Sequence, residues 1–178
     1  MRPDTDPIGF RPVTSADLPM LGEWMERPHW REWWGDPPTE LGYVRDMVEG
    51  RDTTRPFIFS AEGRDLGYIQ AWRIGDTLHE PWISDSPWLL ELPADAVGVD
   101  LSIADPDDLS KGIGTAALMS FVAMLRAEGA VTIIIDPDPA NQRAVQAYSK
   151  AGFSPIPELE GRTGDSLIMK HDIRRTTR

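Results

Sequence analysis

The sequence predicts an α/β domain on a mixed sheet, and three observations carry that prediction. Strand-patterned and helix-patterned runs alternate in the order strand, two helices, three strands, helix, strand, helix, strands. "VTIII" (131–135) is a β-branched run that reads as a buried strand. Two later helices have marked starts, glycines in "SKGIGTAAL" (110–118) and an Asp-Pro pair at 138–139. With 178 residues the chain is long enough for one domain with a real core, spanning 1–178, and short for two.

Each element has its own signal. "GFRPV" (9–13) alternates as a short strand. Thr14 or Ser15 then caps an amphipathic helix reaching about Arg27, with Met20, Leu21 and Trp24 on its core side. A second helix is expected from Thr39 to Val48. "RPFIFSAEGRDLGYIQAWRI" (55–74) reads as a hairpin joined at Glu62-Gly63-Arg64. Residues 75–95 show no clear period and are long for a loop, which marks them as functional or disordered. "AVGVDLSIA" (96–104) is a strand with Val97, Val99, Leu101 and Ile103 on one face and Gly98, Asp100, Ser102 and Ala104 on the other. A helix follows over 112–127, then the strand that stops at Asp136. The last helix takes Asp138 as N-cap and Pro139 as its first residue, with Gly152 just past its end. "FSPIP" (153–157) and "DSLIMKHD" (165–172) are closing strands.

Composition excludes several classes. Hydrophobic residues make up 40% and charged ones 26%, an ordinary globular balance. No apolar run approaches the ~20 residues of a membrane span, and "MRPDTDPIGF" carries no signal-peptide core, so a cytoplasmic protein is expected. The absence of cysteine removes disulfides, thiolate metal sites and a cysteine nucleophile, and His29, His79 and His171 form no zinc pattern, so no metal is expected. The net charge is −11, and no Lys or Arg occurs between Arg73 and Lys111, a span holding Asp76, Glu80, Asp85, Glu91, Asp95, Asp100, Asp105, Asp107 and Asp108. Such a field disfavours nucleic acid and favours a cationic partner, although each acid alone reads as solvated surface.

Gly112 and Gly114 at a helix start suit a phosphate group, since the backbone N–H groups there are free to meet it. Close helix–strand packing is the competing explanation. A P-loop pattern is absent. The dinucleotide pattern fits Gly112-Ile-Gly114-Thr-Ala-Ala117, with Asp136 for a ribose, but "DPDDLSK" separates the glycines from their strand.

"SKGIGTAAL", a strand ending at Asp136 and "NQRAVQAYSKAGF" (141–153) together resemble the GCN5-related N-acetyltransferases over residues 97–153. The resemblance implies that family's fold, a mostly antiparallel mixed sheet flanked by helices, with acetyl-CoA as acyl donor. It implies a pantetheine arm along Leu101 and Ile103, and a pyrophosphate on the backbone of Gly112, Ile113, Gly114 and Thr115 near Lys111, with Arg143 or Lys150 as further cations. Asn141 and Tyr148 would lie beside the arm, with Tyr148 protonating the leaving thiolate. Leu109 and Ser110 depart from the family's usual Arg or Gln and Gly, which shifts weight to backbone donors and Lys111.

Direct acetyl transfer needs a neutral amine, a polarised carbonyl and a protonated leaving group. A mid-strand carboxylate needs solvent or a cleft, so Asp100 is either an exposed strand acid or the group that holds the substrate ammonium and takes its proton. Asp136 either starts a turn or binds a second amine. "LGEWMERPHWREWWGDP" (21–37), Asp100 and "DPDPAN" (136–141) extend the resemblance to the aminoglycoside 6′-N-acetyltransferases over roughly residues 8–172. That implies a polycationic aminoglycoside as partner, Asp76 as a substrate-loop acid, and Trp33 and Trp34 as sugar-facing walls, at least one of them also core. No nucleic acid or membrane partner is expected, and the protein would be a monomer or homodimer. The alternatives are acylation of a hydroxylysine-type siderophore precursor, suggested by His29 in "RPHWREWW", acylation of a protein amine, and a non-catalytic acyl-CoA sensor.

Overall fold

The computed structural model describes residues 7–173. Its strands are β1 (Gly9–Pro12), β2 (Arg55–Ala61), β3 (Arg64–Arg73), β4 (Val97–Ile103), β5 (Ile133–Ile135), β6 (Phe153–Pro155) and β7 (Met169–His171). They form one sheet in the order β1-β2-β3-β4-β5-β7-β6, antiparallel except for the β4–β5 pair. The helices are α1 (Leu18–Met25), α2 (Pro28–Arg31), α3 (Pro37–Val48), α4 (Trp82–Asp85), α5 (Ile113–Ala127) and α6 (Gln142–Lys150).

Strand alternation sorts the core into two layers. Phe57, Phe59, Ile69, Val99, Ile133 and Ile135 meet Leu118, Phe121, Val122 and Leu125 of α5 on one face. On the other face Ile58 and Tyr68 meet Leu21, Trp24 and Met25 of α1 and Val44 of α3. Ile134 turns to that second side as well, against Ile74, Trp88 and Leu89. The isoleucine run is thus apolar throughout because both faces of β5 are covered.

Several boundaries differ from the sequence expectation for local physical reasons. Thr14 caps a 3-10 turn (Ser15–Asp17) through a reciprocal box with Asp17, and α1 ends at Met25 rather than Arg27. The unanticipated α2 begins immediately afterwards at Pro28. Helix α3 starts at Pro37 rather than Thr39, because Asp36 accepts from Thr39 N at 3.2 Å and two prolines fill its first positions at no cost in amide bonds. The N-cap of α6 is Asn141, whose Oδ1 accepts from Ala144 N at 3.2 Å. Asp138 instead closes the preceding turn, accepting from Ala140 N at 2.8 Å. Strand β5 omits Val131, which is exposed.

Residues 75–95 are ordered as α4 between two 3-10 turns, and their Trp88 and Leu89 belong to the core. The hairpin turn places Glu62 and Gly63 at φ of 53° and 74°, the paired positive values of a tight turn. Gly67 permits a close approach of β3 to β4, since a Cβ there would stand 2.4 Å from Ser102 O and 2.5 Å from Phe59. Gly67→Ala is expected to destabilise the protein by about 2 kcal/mol in urea denaturation, as an overpacked core site does.

Candidate active site

The site begins where two parallel strands part. Strand β5 pairs with β4 only across Val97–Val99, so the β4 edge beyond Val99 is open on that side. Ala104 N donates to Leu66 O at 2.9 Å, which fixes the hydrogen-bonded phase of β3 and β4. Even-numbered β4 residues therefore turn their backbone to β3, and Leu101 and Ile103 turn theirs to the gap. His29 Nε2 lies 2.7 Å from Ile103 O, and Arg27 donates to Ala104 O, tying the α2 region to the end of β4.

Along this edge runs a cleft of about 430 Å³ whose lining includes Leu101, Ile103, Gly112, Gly114, Thr115, Asn141 and Tyr148. Packing requires glycine at neither Gly112 nor Gly114. A Cβ at Gly112 would meet nothing within 4 Å, and one at Gly114 would make ordinary contacts at 3.8 Å and 3.9 Å. Gly112 caps α5 at φ 82°, a backbone region that favours glycine. Ala116 N is bonded back to Gly112 O at 3.0 Å, so the amides of Ile113, Gly114 and Thr115 precede the helical ladder and remain available. The Thr115 hydroxyl is engaged, donating to Ala147 O at 3.1 Å. Ile113 packs its side chain against the core and offers only its backbone. Lys111 is exposed and outside the cleft lining, while Arg143 and Lys150 belong to it.

At one end the cleft opens into a junction of about 270 Å³ lined by Trp33, Trp34, Glu40, Gln70, Asp100, Asp136, Asn141 and Tyr148, among others. Beyond it a cavity of about 630 Å³ shares Trp34, Glu40, Gln70, Asp100 and Asp136 with the junction and continues to Asp52, Trp72, Asp76 and Trp82. A donor in the cleft and an acceptor in the cavity therefore meet at Asp100, Asp136 and Tyr148.

Asp100 and Asp136 sit at matching places on β4 and just past β5, close enough for each to shift the other's titration. Burial pushes Asp136 well above the ordinary carboxylate range, and the neighbouring Asp100 charge pushes the same way. Burial also raises Asp100, opposed by donors that favour its anion. Those donors are Gln70 Nε2 at 2.9 Å and Trp72 Nε1 at 3.0 Å, both on Asp100 Oδ2. Burial and mutual repulsion thus both work against a second negative charge on the pair, and the two donors on Asp100 Oδ2 make Asp100 the better placed of the two to carry the first. Burial, then Asp100 and Asp136, raise the Tyr148 phenol, which keeps its proton at neutral pH.

The acidic run contributes less to this site than its sequence density implied. Of its members only Asp76 and Asp100 line the large cavity. Asp76 accepts from Thr53 Oγ1 at 2.9 Å. Asp108 is buried against Arg64 at 2.8 Å, Asp105 accepts from Asp107 N, and Glu91 pairs with Arg162, so these acids build turns and ion pairs. The remaining cavity acids, Glu40, Asp52 and Asp136, come from outside the run.

The acetyltransferase (GNAT) domain family matches residues 13–160. The chain belongs to that family. Aminoglycoside N(6′)-acetyltransferase type 1 of Klebsiella pneumoniae is 34% identical over 157 residues, 83% of this chain and 74% of that relative. Lysine N-acyltransferase MbtK of Mycobacterium tuberculosis is 31% identical over 151 residues, 82% and 68% of the two chains. The structure of AAC(6′)-Ib with parmomycin and acetyl-CoA superposes with a TM-score of 0.81 at 30% identity, covering 97% of each chain. The same enzyme with coenzyme A and kanamycin gives 0.79 at 30% identity, covering 94% of this chain and 96% of that one.

Four residues of this GNAT acetyltransferase complete the site without a sequence signal strong enough to select them. Gln70 stands directly across from Asp100 in the β3–β4 register, and Trp72 across from Gly98. A Cβ at Gly98 would fall 2.1 Å from the Trp72 indole, so glycine is what lets that ring lie over β4 and reach Asp100. Glu40 lies close enough to Asp100 for burial and that charge to raise it. The polar Gln70 in the apolar stretch "GYIQAW" was the one available hint.

The proton on the pair has a consequence for stability. Because burial and Asp100 raise Asp136, the folded protein holds this proton to higher pH than an unfolded Asp, which releases it near pH ~3.9, so the stability this group carries is present at low pH and falls as pH rises. Asp136→Asn preserves the neutral shape. It is expected to raise Tm by several degrees at neutral pH, with the gain shrinking as pH approaches about 4. A Tm difference that does not change with pH would show that the pair holds no extra proton.

Proposed function

We propose that this GNAT acetyltransferase moves the acetyl group of acetyl-CoA onto the 6′-amino group of an aminoglycoside by direct attack in a ternary complex, conferring resistance to the drug. The observation that carries the proposal is the junction, where an open strand edge with free helix amides meets an acid-lined cavity at Asp100, Asp136 and Tyr148. Donor and acceptor are those named for the relatives and structural neighbours.

The cleft fits acetyl-CoA. Gly112 and Gly114 leave space over the α5 amides for a diphosphate, Arg143 and Lys150 add positive charge, and the Leu101 and Ile103 backbone can pair with the pantetheine amides. In the cavity Glu40, Asp52 and Asp76 attract ammonium groups, with Trp33 and Trp34 as walls on the cleft side. Asp100 takes a proton from the bound ammonium. The freed nitrogen lone pair attacks the thioester carbonyl carbon, whose oxygen a β4 backbone N–H polarises. The C–S bond breaks, Tyr148 gives its proton to the departing sulfur, and the second proton shed by the acylated nitrogen restores the phenol. Asn141, with its Oδ1 spent on capping α6, keeps its NH2 as a donor beside the arm. Among the described residues no helix is long and apolar enough to cross a membrane.

A second reading, acylation of a lysine-type side-chain amine, draws on the MbtK likeness and on one observation. Arg73 lines the large cavity and is exposed, without an ion pair among the described residues, and could receive an acceptor's carboxylate.

Thiol release from acetyl-CoA with kanamycin, followed by product mass, separates the two. The proposal expects turnover and one added acetyl group on kanamycin, and little with lysine or hydroxylysine. Asp100→Asn should lower kcat/KM by about 10²–10⁴-fold, and Tyr148→Phe should lower kcat with acetyl-CoA affinity retained. Turnover confined to the lysine-type amine would overturn the aminoglycoside assignment.

A further inference from the structure

We infer that Tyr68 is a positioning residue for Asp100, acting through the side-chain amide of Gln70. The inference rests on the proposed role of Asp100 as the proton acceptor. Tyr68 is fully buried in β3, two residues before Gln70 and on the same strand face. Its ring needs no hydroxyl to pack. It stands edge-on to Trp34 with centroids 5.7 Å apart and tilted to Trp30 at 6.4 Å, contacts a phenylalanine would keep. A buried hydroxyl costs stability unless it is bonded, so the oxygen calls for its own explanation.

That oxygen lies 2.6 Å from Gln70 Oε1 and 3.7 Å from Met47 Sδ. A phenol has one proton to give, and the amide oxygen is the far stronger acceptor of the two. Donation to Oε1 forces the other end of the amide, Nε2, toward Asp100 Oδ2 at 2.9 Å. A carboxylate only accepts, so a flipped amide would set oxygen against oxygen unless Asp100 took up a proton and donated it. In that reversed chain Asp100 donates to Oε1, Nε2 donates to Tyr68, and the phenol is left with the thioether. Tyr68 therefore biases the relay toward the arrangement that suits an ionised Asp100.

The other groups facing Asp100 work on the same balance. Trp72 of β3 donates to the same oxygen, while Asp136 after β5 and Glu40 of α3 oppose a second negative charge there. Tyr148 of α6 contributes a neutral phenol. Asp52 reaches the relay only through its effect on Tyr68. With the carboxyls crowded together, the neutral donors from β3 are what keep Asp100 the ionised member of the pair, and Tyr68 orients one of the two.

The test is a double-mutant cycle with Tyr68→Phe, Gln70→Met and the double variant, read as the pH profile of kcat/KM for acetyl transfer. In parallel, a 13C-carboxyl NMR titration of Asp100 is recorded on the free protein. Tyr68→Phe is expected to move the acid limb and the Asp100 midpoint up by about half to one pH unit, a three- to ten-fold loss on that limb that vanishes at high pH. Gln70→Met should move both at least as far, and adding Tyr68→Phe to it should move neither further. An unmoved midpoint in Tyr68→Phe, or an equal shift in the Gln70→Met background, overturns the relay. If the wild-type protein acetylates no amine offered, the substrate reading has failed, while the carboxyl titration still decides the relay.

Discussion

Two parallel strands that pair for three residues and then part create the constraint on which the site depends. Their divergence frees the β4 edge and, at the same point, sets Asp100 against Asp136. Two carboxyls this close in a protein-walled pocket cannot both ionise without a compensating cation, and among the described residues no ion pair joins either of them to a base. Retention of one proton relieves that repulsion. A cationic acceptor is the missing counter-charge, so the arrangement is strained in charge until such a ligand arrives.

The rest of the chain holds that arrangement in place. Strand β3 supplies both donors to Asp100, and Gly98 supplies the room for one of them. The aromatic layer of Trp24, Trp30, Trp34 and Tyr68 anchors the α1–α3 side against the sheet and carries Trp34 to the junction. Segment 75–95 closes the far wall of the cavity with Trp82, Trp88 and Leu89. Helix α6 brings Tyr148 to the junction from the other side, started by the Asn141 cap and ended by Gly152 at φ 101°.

What was legible in the sequence is what physics writes locally. Glycines at a helix start, a β-branched run and an Asp in mid-strand all report on their own neighbourhoods, and the α/β architecture follows from them, while Asp100 and the two glycines each kept a structural alternative that only the family resemblance weighed against. The errors arose where two local rules competed or where contact is made across the sheet. Asp138 and Asn141 are both good N-caps, and Pro139 favoured the wrong one. Gln70, Trp72 and Gly98 become site residues only through the β3–β4 register, which no single strand encodes. The acid run misled because adjacency in sequence is not adjacency in space. Its Asp105, Asp107 and Asp108 lie in a turn outside the cavity, with Asp108 paired to Arg64, while Glu40 and Asp52 reach the cavity from the α3 region. The contact between Asp100 and Asp136 is of the same non-local kind.

The central claim is that the carboxyl pair holds one proton and exchanges it for a cationic acceptor. Calorimetry of kanamycin binding to the coenzyme A complex at about pH 6, in buffers of low and high ionisation enthalpy, counts that proton directly. Amines of ordinary basicity remain charged at this pH, and comparison with Asp136→Asn separates the pair's proton from those of other groups that titrate nearby, the coenzyme A phosphate monoester among them. The account predicts net proton release on binding, abolished in Asp136→Asn. Heat independent of the buffer, or net proton uptake, would contradict it.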